Sequence, residues 1–380
     1  MILKRILIIL GFVVLWIAPA ASGREVLKIR VAIFKDIPDL TMSVAGSFDI
    51  LDAKTQQLFY RGREHFTFKI AASQEGFKFE NKVFKTSGIV FAVRNKSPVT
   101  VNKRRYRGDI TLVRQDNNLL LVVNTLDMES YLKGVLYHEI SPKWPIEAIK
   151  AQAVAARTYA MYQREVMKAK DYDVMADTSS QVYGGFTSEN HKTNRAVNFT
   201  YGEVLTFGGR VFPAYFHATC GGMTENAAEL WKTDIEPLRG QKTCSFCQGS
   251  PHYFWQVSFD LKTIQKKLGA VYRGKEDLDN ISVQERTVSG RVRTLMLKDA
   301  SGVLFPLSAK DFRQLMGPDV IRSTNFSILL DGQKATFQGK GWGHGVGLCQ
   351  WGALGMSQKG YGYKEILEFY YPGSKLVKIN

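Results

Sequence analysis

The chain has 380 residues, of which 45% are hydrophobic and 12% aromatic, and this composition excludes an intrinsically disordered protein. Its length allows a sizeable core, divided between two or more lobes. The formal net charge of +16 indicates an anionic partner, such as nucleic acid, an anionic membrane surface or an anionic cell-wall polymer.

The first 23 residues have the pattern of a secretory signal peptide. Lys4 and Arg5 precede a short apolar run, and small residues follow at Ala18, Ala20 and Ala21. The apolar run is short for a membrane-spanning helix, so we expect export with cleavage near Ala21, or retention of the segment as an N-terminal anchor. Without Lys4 and Arg5 the charge falls from +16 to +14, and export favours a wall polymer or a membrane surface over nucleic acid.

Residues 24–123 are predicted to form a β-rich N-terminal region, because short alternating runs such as VLKIRVAIF and DITLVR are separated by polar turns. Two helices follow from residue 124. Strand patterns return at about residues 255–337, interrupted by the helical segment SAKDFRQLMG, and the chain closes on the amphipathic helix YKEILEFYYPG. Helices and strands in separate blocks predict an α+β fold, with a β-rich N-terminal lobe, a helix-pair core, a second strand-rich section and a cleft between lobes.

Glu139 stands on the apolar face of the first predicted helix. It follows Met128, Leu132 and Val135 at helical spacing, and it lies in the last turn before Pro142, where the helix dipole is negative. Burial and the dipole both disfavour the charged form, so the pKa of Glu139 is predicted to be raised, as a general acid requires. A glutamate paired with a nearby lysine or arginine in a cleft wall fits the same pattern.

The second predicted helix starts at Pro145 and is rich in alanine, which lets a neighbouring element approach its backbone closely. Lys150 and Arg157 share one face of this helix, and Gln152 lies to one side. The two cations either point at an anionic substrate group or extend along the surface with their charges in water. On the first reading, Lys150, Gln152 and Arg157 bind substrate.

Several motifs resemble those of the SpoIID/LytB family. They are YLKGVLYHE at residues 131–139, DTSSQVYGG at 177–185, AYFHATCGGMT at 214–224 and GKGWGHGVGLCQWGALGM at 339–356. The resemblance implies that residues 124–380 form a catalytic core similar to that of lytic transglycosylases, which cleave the glycan strands of peptidoglycan, in the best-understood members strands stripped of stem peptides. The family also contains enhancers of a cell-wall amidase, so the resemblance implies a second role, as a non-catalytic modulator of such an amidase.

The catalytic glutamate of the family ends the motif YLxGVxxxE, which maps onto Glu139. The resemblance implies that Glu139 protonates the glycosidic oxygen and then, as a carboxylate, assists deprotonation of the 6-hydroxyl of N-acetylmuramic acid. That hydroxyl replaces water as the nucleophile, and a 1,6-anhydro end results. A hydrolase requires two carboxylates, and Asp177 is the other carboxylate within these motifs, so hydrolysis becomes a rival if Asp177 lies close to Glu139.

The loop GKGWGHGVG has a glycine at every second position, which lets its backbone approach a ligand or a neighbouring strand closely. Its spacing excludes a phosphate-binding P-loop. An aromatic face and polar groups in a cleft suit sugars, and a tightly packed loop beside the helix pair fits the same pattern. The candidates for substrate contact are Trp342, His344, Gln350, Gln181 and Tyr183.

Three of the four cysteines have the spacing of a metal site. Cys244 and Cys247 form a C-x-x-C motif, and Cys220 follows His217 by three residues. The predicted ligands of one structural zinc are His217, Cys220, Cys244 and Cys247, with His252 as the rival of His217. The alternative is a disulfide from Cys220 to Cys244 or Cys247, which export permits, and the resemblance leaves both open because family members occur with and without zinc. Cys349 is predicted to be a buried free thiol.

Overall fold

A computed structural model describes residues 26–79, 82–94 and 97–379 of the protein. The predicted signal peptide, residues 1–23, lies outside the described residues, so export stays a prediction. Within the described ranges, no helix combines the length and the apolar character that crossing a bilayer requires.

The chain before the first helix is almost entirely strand, as its alternating pattern predicts. The strands in chain order are β1 (Lys28–Ile37), β2 (Asp39–Val44), β3 (Phe48–Asp52), β4 (Leu58–Gly62), β5 (Phe66–Ser73), β6 (Gly76–Phe79), β7 (Lys82–Phe84), β8 (Gly88–Val93), β9 (Val99–Val101), β10 (Arg104–Tyr106), β11 (Asp109–Arg114) and β12 (Leu120–Asp127).

The predicted helix pair follows directly. Helix α1 (Met128–Glu139) begins where β12 ends, because the Asp127 carboxylate caps it by accepting a hydrogen bond from the Ser130 backbone N at 2.9 Å. Helix α2 (Ile146–Val166) begins after Pro145, and the alanines of its first four turns are fully buried. Small side chains there allow α1 and the C-terminal helices to pack closely against α2.

The remainder alternates short strands and helices. In chain order these are β13 (Val174–Met175), α3 (His191–Phe199), β14 (Glu203–Phe207), β15 (Arg210–Val211), β16 (Phe216–His217), β17 (Phe254–Asp260), α4 (Leu261–Leu268), β18 (Leu278–Arg286), β19 (Val292–Asp299), β20 (Leu304–Ser308), α5 (Ala309–Met316), β21 (Phe326–Asp331), β22 (Lys334–Lys340), β23 (Leu348–Cys349), α6 (Gln350–Gln358), α7 (Tyr363–Tyr370) and β24 (Lys375–Lys378).

The strands form several separate sheets. The largest has the order β13-β1-β12-β11-β8-β3-β4, and a second has the order β10-β9-β2-β5-β6-β7. Later strands form smaller sheets, of which β16-β23 is a parallel pair that sets His217 beside Cys349 in register. This pairing matters for the site because it joins two motifs that are far apart in sequence.

Two hydrophobic cores organise the molecule. The larger contains residues from the N-terminal strands, the helix pair and α7, and the smaller lies between Trp255 and Phe337. The α+β prediction is confirmed. The division into domains at residue 123 stays a prediction, and the larger core extends across that point. Helices α3, α4 and α6 were not predicted from the sequence.

Candidate active site

A cleft of about 510 Å³ lies at the C-terminal end of α1. Distant parts of the chain form it: the end of α1, the loop after β13, the segment around β16, the loop between β22 and β23, and α5 of the smaller core. The cleft is therefore bounded by residues associated with both hydrophobic cores.

Glu139 is the last residue of α1, and its half-buried side chain lines the cleft. Its Oε1 accepts a hydrogen bond from the Val182 backbone N at 3.2 Å. Burial raises the pKa of Glu139 to about 7, although hydrogen bonds from Val182 and the Gln350 side chain act in the opposite direction. No lysine or arginine of the described chain contributes to this pKa. Glu139 can therefore be protonated in a large fraction of molecules near neutral pH.

The loop that carries Val182 is anchored on both sides. The Tyr131 hydroxyl donates to Gln181 Oε1 at 3.0 Å, and Gln181 Nε2 donates to the Ala156 carbonyl at 3.3 Å. The Tyr183 hydroxyl donates to Asn124 Oδ1 at 2.8 Å. Gln181 and Tyr183 are buried and do not line the cleft, so their predicted role in substrate contact is corrected: they hold the donor that faces Glu139.

The three candidates from the C-terminal motif, Trp342, His344 and Gln350, all line the cleft together with Glu139. Gln350 Nε2 also approaches Gln152 Oε1, at 3.5 Å, and Gln152 is fully buried behind it. Gln152 was predicted to contact substrate, and the structure corrects this because its side chain reaches Gln350 and not the cleft.

The cations of α2 do not face the cleft. Arg157 is fully buried and pairs with Glu129 of α1, with Nη2 2.7 Å from Oε2 and Nε 2.8 Å from Oε1. Lys150 pairs with Glu147 at 2.7 Å and does not line the cleft. The prediction that Arg157 and Lys150 bind substrate is corrected, because Arg157 pairs with Glu129 inside the helix pair and Lys150 lies on a part of α2 outside the cleft.

The glycine-dense loop packs tightly and also faces the cleft, so it combines the two predicted roles, close packing and contact with substrate. Gly347 has a φ of 70°, and a Cβ there would lie 2.0 Å from the Tyr215 carbonyl oxygen. Trp342 and Thr219 exchange two backbone hydrogen bonds, of 2.8 and 3.0 Å. The loop is held against the segment around β16, which directs the side chains of Trp342 and His344 into the cleft.

His344 is a neutral polar group in this cleft. Its Nδ1 accepts a hydrogen bond from the Val346 backbone N at 3.0 Å, which leaves the proton on Nε2. Burial lowers its pKa to about 3, and the charges of Arg313 and Arg291 act in the same direction. A hydrogen bond with the Phe216 backbone acts in the opposite direction, so the ring is neutral and is held on both sides by backbone groups.

The sequence of the chain is similar to several known proteins. The family model described as "Stage II sporulation protein" (SpoIID) matches residues 116–207, and a model described as a domain of unknown function matches residues 240–347. An uncharacterized protein of Brachyspira hyodysenteriae is 33% identical over 364 residues, which cover 95% of each chain. Stage II sporulation protein D of Bacillus amyloliquefaciens is 31% identical over 266 residues, which cover 66% of this chain and 74% of that protein. The chain belongs to the SpoIID/LytB family.

A further relative carries a different name. The amidase enhancer of Bacillus subtilis is 31% identical over 290 residues, which cover 65% of this chain and 40% of that protein. Membership of the SpoIID/LytB family, together with these relatives, supports a role related to the cell wall. Glu139 falls within the SpoIID match, whereas Trp342 and His344 fall within the second one.

Several side chains of the cleft were not predicted from the sequence. Tyr215 and Trp231 stack with ring centroids 4.3 Å apart, and His344 approaches Trp231 edge-on at 5.2 Å. Tyr215 is itself part of the AYFHATCGGMT motif, which was a usable signal, whereas no motif marked Trp231. The lining residues that were not predicted include Tyr159, Tyr215, Trp231, Arg313 and Asp319.

His217 lines the cleft and leaves one ring nitrogen without a partner. Its Nδ1 lies 3.0 Å from the Val346 carbonyl oxygen, to which it donates. Its Nε2 is buried and has no hydrogen-bond partner among the residues that the structure describes. Burial lowers the pKa of His217 well below its ordinary value, so Nε2 is an acceptor that a ligand in the cleft can satisfy.

Four buried cysteines lie together beside the cleft wall. The ligand atoms of Cys220, Cys244, Cys247 and Cys349 all lie within 4.8 Å of one another and could bind a metal ion. The predicted fourth ligand, His217, and its rival His252 are not part of this group. This corrects the ligand set, because the β16-β23 pairing carries Cys349 to Cys220 while His217 turns to the Val346 carbonyl. Cys349 is a buried free thiol as predicted, and the three other cysteines are also free of disulfide bonds in the structure.

Proposed function

We propose that the protein is an exported lytic transglycosylase that cleaves peptidoglycan glycan strands stripped of stem peptides and leaves 1,6-anhydro-N-acetylmuramic acid ends. The observation that carries the proposal is the Glu139 carboxyl, which faces a cleft with a pKa of about 7 and no cationic partner among the described residues. A group that is partly protonated at neutral pH can both donate and accept a proton.

The groups around Glu139 suit its two roles. Burial favours the neutral acid, which would donate its proton to the leaving glycosidic oxygen. Val182 N–H and Gln350 would then stabilise the resulting carboxylate, which would accept the proton of the N-acetylmuramic acid 6-hydroxyl as that oxygen attacks C1. The proton returns to Glu139, the glycosidic bond is replaced by the 1,6-anhydro bond, and no water is consumed.

The cleft also suits a sugar polymer. Trp231, Tyr215 and Trp342 offer aromatic faces for sugar rings, and His217 Nε2 offers an acceptor for a hydroxyl or acetamido N–H group. A lining that mixes aromatic and polar side chains suits a hydroxyl-rich, partly apolar ligand.

Hydrolysis is the rival chemistry, and the second carboxylate it needs is not the predicted one. Asp177 Oδ1 accepts hydrogen bonds from the Ser179 backbone N and hydroxyl, at 2.9 and 2.6 Å, and does not line the cleft. Asp319 is the carboxylate that lines the cleft with Glu139 among the described residues. An Asp319→Asn variant therefore separates the two chemistries.

The test incubates the wild type, Glu139→Gln, Asp319→Asn and Glu165→Gln with purified strands that lack stem peptides, and reads the products by mass spectrometry. We expect fragments one water lighter than hydrolysed ends from the wild type, and from Asp319→Asn and the exposed control Glu165→Gln. Glu139→Gln should be slower by about a hundredfold or more. Ordinary reducing ends from the wild type, together with loss of cleavage in Asp319→Asn, would instead identify a hydrolase.

A second candidate function is a non-catalytic modulator of a cell-wall amidase, which the similarity to the amidase enhancer supports. In that case neither the wild type nor Glu139→Gln would cleave strands. Both would bind them and change the rate of an amidase added to the same reaction, so one set of proteins distinguishes the two functions.

Zinc is the metal that we propose for the four cysteines. A tetrahedral zinc with Zn–S bonds of about 2.3 Å requires sulfur atoms about 3.8 Å apart, and the Sγ atoms of Cys220 and Cys247 are 3.5 Å apart. The backbone N atoms of Cys220 and Gly352 donate to Cys349 Sγ at 3.2 and 3.3 Å, as suits a thiolate. Four sulfur ligands leave no open position, so such an ion would stabilise the fold and take no part in the reaction.

Export by residues 1–23 is part of the proposal. Intact-mass analysis of the protein from its native cells should give a mass that starts near Ala21. A mass that retains Met1 would identify the segment as an anchor, with the catalytic part still outside the cytoplasm.

A further inference from the structure

The smaller hydrophobic core contributes a cation to the cleft. Helix α5 begins at the cap residue Ser308 and buries Phe312 and Met316 in the smaller core. Arg313, next to Phe312, is half-buried and lines the cleft that contains Glu139. Among the described residues that line this cleft, Arg313 is the one lysine or arginine.

Arg313 is fixed in position but is not neutralised. Its Nε donates to the Arg322 carbonyl at 3.3 Å and its Nη2 to the Pro318 carbonyl at 3.2 Å. Its Nη1 has no hydrogen-bond partner, and the guanidinium forms no ion pair, within the part of the chain that the structure describes. A half-buried cation without a counter-ion is costly, and an anionic ligand in the cleft would offset that cost.

The other charges near Arg313 leave this place open for an anion. Asp319 acts on Arg313 through space, but it is exposed at the rim of the cleft and makes no ion pair with it in the described ranges. His344 and His217 are neutral, because burial lowers the pKa of each. Glu139 has a pKa of about 7, so it is partly protonated at neutral pH and becomes largely neutral below it.

Arg313 also lies where the cleft continues into a second groove. A cavity of about 370 Å³ shares Arg313, Trp231, Gly343 and His344 with the first cleft. Lys310, one turn before Arg313 on α5, lines this groove and places its Nζ 5.8 Å from the centre of the Trp231 ring. A linear polymer that crosses Trp231 would therefore pass directly beside Arg313.

We propose that Arg313 binds the free lactyl carboxylate of an N-acetylmuramic acid unit and so selects strands that lack stem peptides. The proposal rests on the function proposed above. When the stem peptide has been removed, the 3-O-lactyl group of that sugar ends in a carboxylate, and with the peptide attached it ends in a neutral amide. A guanidinium forms charge-assisted hydrogen bonds with the carboxylate and loses that advantage with the amide.

The residue that selects stripped strands, Arg313, would therefore be positioned by the smaller core, whereas the proton donor, Glu139, is positioned by the larger one. Arg313 lies outside the SpoIID match and within the matched domain of unknown function, at residues 240–347. Arg313 and Gly343 share the Arg322 carbonyl as hydrogen-bond acceptor, which ties the cation to the loop that carries His344. Recognition of the carboxylate and placement of the strand beside Glu139 are thus mechanically linked.

Two substrates that differ by one charge in each N-acetylmuramic acid unit test the proposal. Purified strands without stem peptides keep their lactyl carboxylates in one sample, and in the other these are coupled to methylamine to give neutral amides. Binding is measured by calorimetry in the Glu139→Gln background, so that cleavage does not interfere. The variants are Arg313→Gln, Arg313→Lys, Asp319→Asn and Arg239→Gln. The last removes an exposed arginine that pairs with Asp234 away from the cleft.

We expect the parent to prefer carboxylate strands by about tenfold to a hundredfold. Arg313→Gln should bind both strands equally, Arg313→Lys should keep part of the preference, and Asp319→Asn should increase it because a repelling charge is removed. Arg239→Gln should behave as the parent. Thermal unfolding checks that Arg313→Gln stays folded.

The same strands, given to proteins that retain Glu139, separate this proposal from the function itself. If the preference for carboxylate strands survives in Arg313→Gln, or is absent from the parent, the role of Arg313 is wrong even where cleavage occurs. If the binding preference depends on Arg313 but no protein cleaves strands, the carboxylate subsite stands and the transglycosylase function falls.

Discussion

At the scale of single residues, Glu139 combines two demands that usually conflict. It must be withdrawn from water so that it keeps its proton, and it must reach the substrate so that it can transfer that proton. The end of α1 meets both demands, because the carboxyl is half-buried at the cleft and, among the described residues, only Val182 N–H and Gln350 stabilise its charged form. The same environment predicts how activity and stability depend on pH.

The activity of the wild type should fall as the pH rises above about 7, because the Glu139 acid loses its proton there. Replacing Gln350 by leucine removes a hydrogen bond that lowers the pKa of Glu139, so the alkaline limb of kcat/KM should move to higher pH. Rates measured between pH 5 and 9 check this. An alkaline limb that stays in place in Gln350→Leu would separate Gln350 from the proton transfer.

The stability of the wild type should also fall with pH, relative to Glu139→Gln. The native pKa of about 7 exceeds the ordinary 4.5, so the native state binds more protons between these values, and the stabilisation is present below 4.5 and lost as the pH passes 7. The difference is at most about 3 kcal/mol. Urea unfolding at pH 5 and pH 8 measures it.

The exposed control Glu165→Gln should show no such pH-dependent difference from the wild type. If Glu139→Gln and the wild type change stability in parallel from pH 5 to pH 8, the Glu139 carboxyl is not shifted as described.

At the scale of elements, α1 and the loop after β13 act as one unit. Gly134 of α1 faces Tyr183, and the Gly184 backbone N donates to the Gly134 carbonyl at 3.1 Å. The glycine within the motif YLKGVLYHE therefore has a packing reason: it lets the loop that carries Val182 lie against the helix that carries Glu139.

Gly134→Ala should disturb this unit. An added Cβ would lie 2.5 Å from Tyr183 Cε2, so the ring and its loop must move, and Val182 N–H would move away from Glu139. We expect a loss of about 1–3 kcal/mol in stability, the range for overpacking, although alanine favours the helix itself. We also expect an upward shift of the alkaline limb. Gly249→Ala is the control, because nothing lies within 4 Å of a Cβ at that position. Unchanged stability in Gly134→Ala would exclude the close contact.

The sequence predicted the features of these elements that depend on local periodicity. Helical spacing located α1 and α2 and placed Glu139 in the last turn of α1, on its inner face. The alternation of apolar and polar residues indicated the N-terminal strands. The sequence did not predict which residues contact each buried side chain. Spacing gave the position of Arg157 on α2, and from that position its side chain was expected to reach either solvent or substrate. Its pairing with Glu129 depends on how α1 crosses α2, which spacing does not determine. Arg313 joined the cleft through the packing of the smaller core, which no local pattern records.

At the scale of the whole molecule, the four cysteines join segments that are distant in the chain. Cys220 follows β16, Cys244 and Cys247 lie in the segment before β17, and Cys349 ends β23. The C-x-x-C spacing of Cys244 and Cys247 was visible in the sequence. The membership of the fourth cysteine, Cys349, in the group was not, because the parallel pairing of β16 with β23 brings it beside the others. A metal at this point would connect the cleft wall, the loop of Trp342 and α6.

This arrangement predicts which variants lose zinc. Cys349→Ala should lose the metal as completely as Cys244→Ala, because both remove one of four sulfur ligands, and each should lower the free energy of unfolding by more than about 4 kcal/mol, as loss of a metal site can. His217→Ala should keep about one zinc per chain, because His217 bonds to the Val346 carbonyl and lies outside the cysteine group. Metal analysis and urea unfolding of protein purified without added metal measure both effects.

Zinc that is lost in His217→Ala and retained in Cys349→Ala would restore the ligand set expected from the sequence. A mass that reveals a disulfide between two of these cysteines, in protein without zinc, would replace the metal by a covalent link between the same segments.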